Sequence, residues 1–270
     1  MTSDISPLVE EWRGRLAGAG WLDLRRETEL FPELIDAIAP ATYAVVVRSG
    51  EVITDSDSYL EAGIDAYLVP EGVPAPEPDD EFERNAAYGR IEMGLDTENR
   101  ELRISQLDLP SDQQTYGLGT LLIAQLVELA DDPRLEAVVL EASDVGRWAW
   151  MRCGFDFANP HSREQTLAAA GFARRLGRDV ALGSIEHTWE LVDLNGTITA
   201  DEIQAAGGPM ISAVGTPIAL GKALVLGPPP AANPWWGRLD LRTGARGRVR
   251  LHEYLASRDL AYRSENAPEA

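Results

Sequence analysis

The sequence predicts a mixed fold of the α/β (α+β) type, in which helices surround a mixed central sheet. Two observations lead to this prediction. Short segments with strand-like patterns follow one another in residues 42–109, as they do in antiparallel sheets. A strand, a glycine-containing loop, a helix and a second strand then follow in residues 102–140, an order in which the two strands lie side by side and parallel.

Residues 1–40 have the spacing of helices. Apolar side chains recur every three or four positions in residues 8–16 and again in 24–38, and Gly18 and Gly20 separate the two patterns. We therefore predict an N-terminal helical segment that packs on the sheet or covers a cleft.

Three strands are predicted before the glycine loop, at residues 42–48, 87–95 and 102–109. Residues 51–54 return from the first of them, and residues 96–100 form a turn between the last two. This arrangement is an antiparallel meander that enters the parallel pair.

Residues 54–87 have little periodicity. The prolines between Pro70 and Pro78, followed by the acidic residues 79–81, predict an exposed acidic loop. Two interpretations remain open for this segment: a loop that binds the substrate, and a loop that only extends into solvent.

The glycine loop stands between a strand and a helix. Gly117 and Gly119 precede a run of helix-forming residues, 119–129, and a short apolar strand follows at 135–140. The first turn of a helix has backbone N–H groups without partners and carries partial positive charge, so it can hold an anion. Glycines let a phosphate approach that backbone, although a simple tight turn uses glycines as well.

The spacing Gln114-x-x-Gly117-x-Gly119 resembles the pyrophosphate loop, Gln/Arg-x-x-Gly-x-Gly/Ala, of the GCN5-related N-acetyltransferase (GNAT) superfamily. The order of strand, loop, helix, strand and a short helix that ends in Gly154-Phe155 also fits this superfamily. Many members carry Tyr-x-x-x-Gly-Phe in that helix, whereas this chain has Trp150 in the place of the tyrosine. The resemblance covers about residues 41–158.

The resemblance implies a cofactor, acetyl-CoA or another acyl-CoA, that lies in a splay between the two parallel strands. Leu107 and Leu109 would pair through their backbones with the pantetheine arm. The pyrophosphate would meet the loop that Gln114 opens, at the backbone N–H groups of Tyr116, Gly117, Leu118, Gly119 and Thr120.

The implied reaction moves an acyl group from the coenzyme A thioester to an amine. The amine attacks only when it is neutral, so a carboxylate or a water chain must accept its proton. Candidate bases are Glu92, Asp108 and Glu141. Tyr116 or a water is left as the proton donor to the departing thiolate, because an indole such as that of Trp150 is no useful acid.

Composition narrows the classes of partner. The chain has 270 residues and a formal net charge of −20, and residues 1–160 carry the whole acidic excess. On this ground free nucleic acid is not expected as a partner, whereas a cationic acceptor would be attracted. Solubility or a salty cytoplasm would explain the same charge equally well.

Targeting and metal signals are missing from the sequence pattern. We expect no membrane span, because no run of apolar residues is long enough, and we expect a cytoplasmic protein without a secretion signal. One cysteine, Cys153, allows no internal disulfide, and we read it as a core residue. His161, His187 and His252 lack ligand spacing, so no metal site is predicted.

The region 159–270 is predicted to be an accessory region, helical at first and then containing short strands. Residues 162–176 have a helical pattern, Thr199 to Glu202 fit a capping box that opens a helix at 200–206, and residues 222–226 are a strand candidate. The sequence 191–202 also has some of the spacing of a calcium loop, but Leu191 stands where its first aspartate belongs, so a turn before a capped helix is preferred.

Two clusters near the C-terminus have open interpretations. Trp235 and Trp236 are expected to bury area in a core or interface, in preference to forming a ligand wall. Four arginines form a basic cluster that could dock on the acidic half, contact the 3′-phosphate of a cofactor or be solvated: Arg242, Arg246, Arg248 and Arg250.

The prediction that follows is an acyl-CoA-dependent N-acyltransferase, most simply an N-acetyltransferase, with a core at 41–158. Its acceptor would be an amine-bearing small molecule or peptide, and a homodimer is compatible with the resemblance. The alternative is a non-catalytic GNAT-fold binding or regulatory module, which Trp150 and the large extra regions favour. A protein-interaction module built on the C-terminal Trp and Arg residues is a third hypothesis.

Overall fold

The chain is a mixed α/β protein that divides into two compact units, residues 1–138 with 255–270 and residues 139–254. The helices predicted in residues 1–40, the glycine loop and the helix predicted at 119–129 lie outside the residues that the structure describes. The computed structural model describes residues 43–49, 52–53, 61–70, 89–96, 99–108, 135–143, 146–167, 170–211, 214–227 and 235–257.

The first unit contains an antiparallel sheet with the strand order β1-β3-β4-β5, in which β2 also pairs with β3. The strands predicted at 42–48, 87–95 and 102–109 are confirmed to within two residues. The bounds are β1 Tyr43–Ser49, β2 Val52–Ile53, β3 Glu61–Pro70, β4 Gly89–Asp96 and β5 Glu101–Asp108.

Strand β3 was not predicted by the sequence pattern. It occupies ten residues of the stretch 54–87 and pairs with β1 on one side and β4 on the other. Its glycine and acidic residues have low strand propensity, so pairing on both sides determines its conformation instead. The sequence pattern therefore failed to indicate an element at residues 61–70, and the acidic loop predicted from the prolines and residues 79–81 lies, apart from Pro70, outside the described residues.

The predicted turn between β4 and β5 is confirmed, and a buried carboxylate organises it. Asp96 is 1% exposed. It accepts hydrogen bonds from the backbone N–H and the side-chain Nδ2 of Asn99, both at 2.9 Å, and it pairs with the Arg103 guanidinium at 2.7 Å. These partners offset the cost of burying its charge.

Strand β5 carries a bulge at Ser105. Met93 of β4 lies opposite Ile104, but Glu92 lies opposite Gln106, so β5 has one more residue than β4 at this point. A bulge bends its strand and increases the local twist. Because of it, Leu107 lies on the same face of the sheet as Ile104, although the two are three residues apart.

Strand β6, Ala137–Ala142, begins close to the beginning of β5. The backbone N–H of Glu136 donates to the carbonyl oxygen of Arg100 at 2.8 Å, and the two side chains form an ion pair at 2.9 Å. Parallel pairing of β5 and β6 requires this adjacency. The glycine loop and the helix that would complete the predicted unit stay a prediction.

The second unit combines β6, β10 and β7, in that order, with helices and a small antiparallel sheet of β8 and β9. Its elements are α1 Gly146–Arg152, β7 Asp156–Phe157, α2 Pro160–Leu167, α3 Ala170–Arg175, a 3-10 turn Leu182–Ser184, α4 Thr188–Val192, β8 Thr197–Thr199, α5 Ala200–Ala205, β9 Pro217–Ala219, α6 Leu220–Leu226, β10 Trp235–Asp240 and α7 Arg246–Ser257.

The core of the second unit lies between these elements. Helices α1, α4 and α6 pack on one another. Phe155, Phe172 and Trp235 are the largest of its fully buried side chains. None of the helices in the described ranges has the length and apolar character that crossing a bilayer requires.

One element of the second unit differs in type from its prediction. Residues 222–226 belong to helix α6, so the predicted strand is wrong. The segment is apolar on almost every side, and a short run of this kind fits a buried helix as well as a buried strand. In the structure the helix packs on α1 and α4, and Gly221 lies so close to α4 that a side chain there would overlap the carbonyl group of Leu191.

The predicted capping box at α5 is confirmed. The Thr199 hydroxyl oxygen accepts from the Glu202 N–H at 3.3 Å, and the Glu202 carboxylate accepts from the Thr199 N–H at 2.8 Å. These hydrogen bonds, first of all the one from the Thr199 backbone, hold the pKa of Glu202 below its ordinary value.

Replacing Thr199 by alanine is expected to lower the free energy of unfolding by about 1 kcal/mol at neutral pH. Part of this loss depends on pH, because the Thr199 hydroxyl is one of the donors that depress the pKa of Glu202, whereas the backbone N–H of residue 199 still donates to Glu202 in the variant. That part is present above the unfolded pKa of Glu202 and lost as pH falls through the folded one. Urea unfolding of both proteins at neutral and acid pH tests this, with Thr199→Ser as the control that keeps the hydroxyl. A gap that stays constant down to low pH would contradict the assignment.

Candidate functional site

The predicted acyl-CoA site lies largely outside the described residues. This applies to the seven residues Leu109, Gln114, Tyr116, Gly117, Leu118, Gly119 and Thr120. Leu107 is described, near the end of β5, where it is half-buried and opposite Ile91 of β4. The cofactor contacts of these residues stay predictions.

The candidate bases of the first unit lie on neighbouring strands. Glu92 is on β4, with Gln106 of β5 opposite it on one side and Asp65 of β3 on the other. Asp108, the last residue of β5, is exposed and lies opposite Arg90. Glu92 thus pairs with β5 next to the bulge at Ser105, and bulges often occur beside active sites.

Glu141 is on β6, in the second unit. It is exposed, whereas the other residues of the strand, 137–140 and 142, are all buried, so β6 is covered on both faces except at Glu141. The structure thus places each candidate base on a strand.

The Gly154-Phe155 segment closes α1 as the sequence pattern implied. Gly154 has a φ of +91°, and Phe155 is fully buried. Trp150, which stands where many GNAT members have tyrosine, is half-buried and packs edge-on against Phe155, with ring centroids 6.1 Å apart. Trp150 therefore contributes packing at the end of α1.

A pocket of about 470 Å³ opens in the second unit. Its wall comes from the end of α1, from α4, from β10 and from the segment that leads into α7. The lining residues are Gly154, Asp156, Trp189, Arg238, Asp240 and residues 242–247. Pockets of this volume accommodate small molecules.

Asp156 is fixed on one side of this pocket. Its carboxylate accepts from the backbone N–H groups of Phe157 at 2.9 Å and Thr188 at 3.0 Å, and its other oxygen lies 2.6 Å from Nδ1 of His187. His187 in turn stacks on Trp189, with ring centroids 4.2 Å apart and an interplanar angle of 18°. The carboxylate is thus held in one position by three groups.

Three arginines face the same pocket. The Arg242 guanidinium forms a bidentate pair with Asp240, with Nε at 2.9 and 2.8 Å from the carboxylate oxygens. The hydrogen bond from Arg242 lowers the pKa of Asp240. Arg246 lies over the ring of Trp189 at 4.9 Å from its centroid. Burial lowers the pKa of the third, Arg238, which lies on β10.

The basic cluster predicted at 242–250 does not act as one patch. Arg248 donates to the carbonyl oxygen of Leu241 at 2.8 Å, and Arg250 forms a bidentate pair with Asp193 at 2.9 and 2.7 Å. Only Arg242 and Arg246 line the pocket, where Arg238 joins them.

The ion pair between Arg250 and Asp193 involves one of the carboxylates that the calcium-loop spacing of residues 191–202 would use. Asp193 is engaged by Arg250 and Glu202 by the Thr199 cap, so both carboxylates have partners in the protein. Across the described ranges, no group of three or more His, Cys, Asp or Glu side chains could hold a metal ion.

The pocket residues could not be assembled from the sequence. Asp156 and His187 are 31 residues apart, and neither has a motif around it. Arg238 lies outside the basic cluster that the sequence indicated at residues 242–250. The fold of the second unit brings these side chains together, and no local spacing signals it.

Comparisons with known proteins give little further information. No protein-family model matches the chain, and no curated protein matches it. Among solved structures the chain is similar to nourseothricin acetyltransferase, with a TM-score of 0.27 and 13% identity over 44% of this chain and 71% of that one. Neither the identity nor the TM-score is high enough to transfer a function.

Proposed function

We propose that the protein is an acyl-CoA-dependent N-acyltransferase, most simply an N-acetyltransferase of GNAT type. The observation that carries the proposal is the spacing Gln114-x-x-Gly117-x-Gly119 between β5 and β6. A loop of this spacing directs backbone N–H groups toward a pyrophosphate at a helix start.

The described strands support the same proposal. An antiparallel sheet precedes the loop, and the contact between Arg100 and Glu136 holds the beginnings of β5 and β6 together. After β6, helix α1 leads into Gly154 and Phe155, in the order that the superfamily pattern requires.

In this proposal the sheet supplies the base. An amine acceptor must lose a proton before or during attack on the thioester, and Glu92 or Glu141 would accept it directly or through a water. Tyr116 would donate a proton to the thiolate of coenzyme A, since Trp150 is engaged in packing against Phe155. The acidic character of residues 1–160 favours a cationic amine as the acceptor.

Acetyl-CoA is expected to stabilise the wild-type protein and to have no effect on Gly119→Asp. A ligand that binds only the folded state, at about 100 times its dissociation constant, adds roughly 2.7 kcal/mol. The aspartate would place a negative charge against the pyrophosphate and abolish that gain. Thermal unfolding with and without acetyl-CoA measures it.

Gly183→Asp is the matched control. Gly183 is exposed, and a Cβ there would meet no atom within 4 Å, so this variant adds the same charge far from the loop motif in the sequence. It should keep the full response to acetyl-CoA. A wild-type protein that gains no stability from acetyl or longer acyl chains would show that the loop is only a turn.

Turnover separates the enzyme from the binding module. Release of coenzyme A in the presence of cationic amines can be followed with a thiol reagent, because Cys153, the one cysteine of the chain, is fully buried. Binding of acetyl-CoA without thiol release across amines and peptides would favour the non-catalytic module that Trp150 motivates.

A further inference from the structure

We propose that Arg250 serves as the cation of the Asp193 loop, residues 191–202, in the place that a metal ion has in a calcium loop. The loop then keeps its conformation without metal, and calcium neither binds to it nor stabilises the protein. All the residues involved lie in the second unit, and none of them belongs to the glycine loop of the acyltransferase proposal.

The Asp193 loop lies between two helices, as a calcium loop of the helix–loop–helix type does. Helix α4 ends at Val192, and α5 begins at Ala200, the tenth of the twelve loop positions. Gly196, at the sixth position, has a φ of +107°, and calcium loops place a glycine there for their sharp turn. Leu191, at the first position, is buried and offers no side-chain oxygen. The backbone thus has the order of a calcium loop, but its ligand set is incomplete.

The carboxylate of Asp193, at the third loop position, already has a cation. Nη1 and Nη2 of Arg250 lie 2.9 and 2.7 Å from its two oxygens, so the pair is bidentate. The Arg250 side chain is only 18% exposed, although it comes from α7, 57 residues further along the chain. A guanidinium matches the geometry of a carboxylate, and charge-assisted pairs of this kind are stronger than neutral hydrogen bonds.

Two further oxygens that a calcium ion would use lie near a second guanidinium. Nη2 of Arg178 is 3.5 Å from the carbonyl oxygen of Thr197, at the seventh position, and 3.4 Å from Oε1 of Glu202, at the twelfth. These distances are longer than those of Arg250, and the two side chains of the ion pair are 42% and 49% exposed. Arg178 therefore adds positive charge to this side of the loop, whereas Arg250 makes the close contact.

Helix α7 brings Arg250 to the loop in register with another contact. Arg246, four residues before Arg250, lies over the ring of Trp189 at 4.9 Å from its centroid, and Trp189 is four residues before Asp193. Residues four apart lie on one face of a helix, so a single face of α7 follows α4 from Trp189 to the loop. This second contact fixes the position along α4 at which Arg250 meets Asp193.

The segment opposite the Asp193 loop has no acidic residue. Strand β9 pairs with β8, with Ile218 opposite Ile198, and each of the two strands runs directly into a helix. Lys222 is the third residue of α6, as Glu202 is of α5, so a cation stands in the second helix where the first has a carboxylate. No Asp or Glu occurs in residues 211–222. This segment therefore offers no carboxylate to a metal.

Thermal unfolding of the full-length protein, with calcium at millimolar concentration or with a chelator, tests the role of Arg250. Wild type should have the same melting temperature in both conditions. Arg250→Gln removes the charge and keeps a polar side chain, and it should lower the melting temperature in the chelator by about 2–4 °C.

Arg250→Glu makes the test sharper, because it places a carboxylate of α7 beside Asp193 in addition to removing the guanidinium. We expect this variant to be less stable than Arg250→Gln in the chelator. Calcium should raise its melting temperature, since a hard cation with oxygen ligands would then take the place of the guanidinium.

Arg242→Glu is the matched control. Arg242 forms a bidentate pair with Asp240, as Arg250 does with Asp193, but outside any calcium-loop spacing. Calcium should not change the melting temperature of this variant. Circular dichroism before heating checks that each variant is folded.

Three results would overturn the role of Arg250. They are a melting temperature of wild type that rises with calcium, an Arg250→Gln variant as stable as wild type in the chelator, and equal responses of Arg250→Glu and Arg242→Glu to calcium.

Discussion

Replacing Gly154 by alanine is expected to lower the free energy of unfolding by about 3 kcal/mol or more. Two costs combine at this residue. Its φ of +91° lies in a region that residues with a Cβ rarely adopt. In addition, the new methyl group would overlap the carbonyl group of Gly247, and backbone on both sides leaves little room for the overlap to relax.

Gly177→Ala is the control that separates these two costs. Gly177 also has a positive φ, of +64°, but a Cβ there would meet no atom within 4 Å. Its replacement should therefore cost only the backbone strain, about 1 kcal/mol. Chemical unfolding of the two variants measures the difference, and equal losses would show that the contact between Gly154 and Gly247 does not constrain the second unit.

Replacing Trp235 by alanine is expected to cost about 3–5 kcal/mol, the range for a large aromatic side chain removed from a core. Trp235 is 1% exposed and is the largest fully buried side chain among the described residues. It meets Phe157 edge-on, with ring centroids 5.8 Å apart. Its loss would leave a cavity between β10 and β7.

The next residue provides the control. Trp236 follows on the same strand but is 39% exposed, since successive residues of a strand point to opposite faces. Trp236→Ala should cost less than about 1 kcal/mol. Trp235→Phe should be milder than Trp235→Ala, because the buried indole N–H has no acceptor among the described residues and only volume is lost. Similar losses in the two alanine variants would contradict the assignment of Trp235 to the core.

Local patterns predicted those elements whose conformation is decided locally. The turn at Asp96 and the capping box at Thr199 each depend on residues within a few positions of one another, and both are confirmed. Strand β3 and helix α6 were missed or mistaken because their partners lie elsewhere in the chain. Pairing with β1 and β4 makes a strand of residues 61–70, and residues 220–226 form a buried helix that packs on α1 and α4.

The glycine loop and the pocket of the second unit also differ in whether the local sequence can indicate them. A phosphate loop is a contiguous motif of backbone donors, so Gln114, Gly117 and Gly119 could be picked out from the sequence. The pocket of the second unit is built by side chains from four separate elements, and its Asp156–His187 pair has no counterpart in local spacing. Trp235 and Trp236 look alike in the sequence, and only the strand β10 assigns one to the core and the other to the surface.

The bulge at Ser105 makes one position of β5 removable while the strand stays sensitive to an added residue. Ser105 is exposed, so many side chains should be accommodated there. Deleting Ser105 would give β5 a uniform register with β4 and keep the pairings of the bulged strand, with Leu107 opposite Ile91 and Asp108 opposite Arg90. A second residue inserted beside Ser105 would instead turn Leu107 and Asp108 over, because successive residues of a strand alternate between its faces. We therefore expect β5 to accept the loss of a residue at this point more readily than the gain of one.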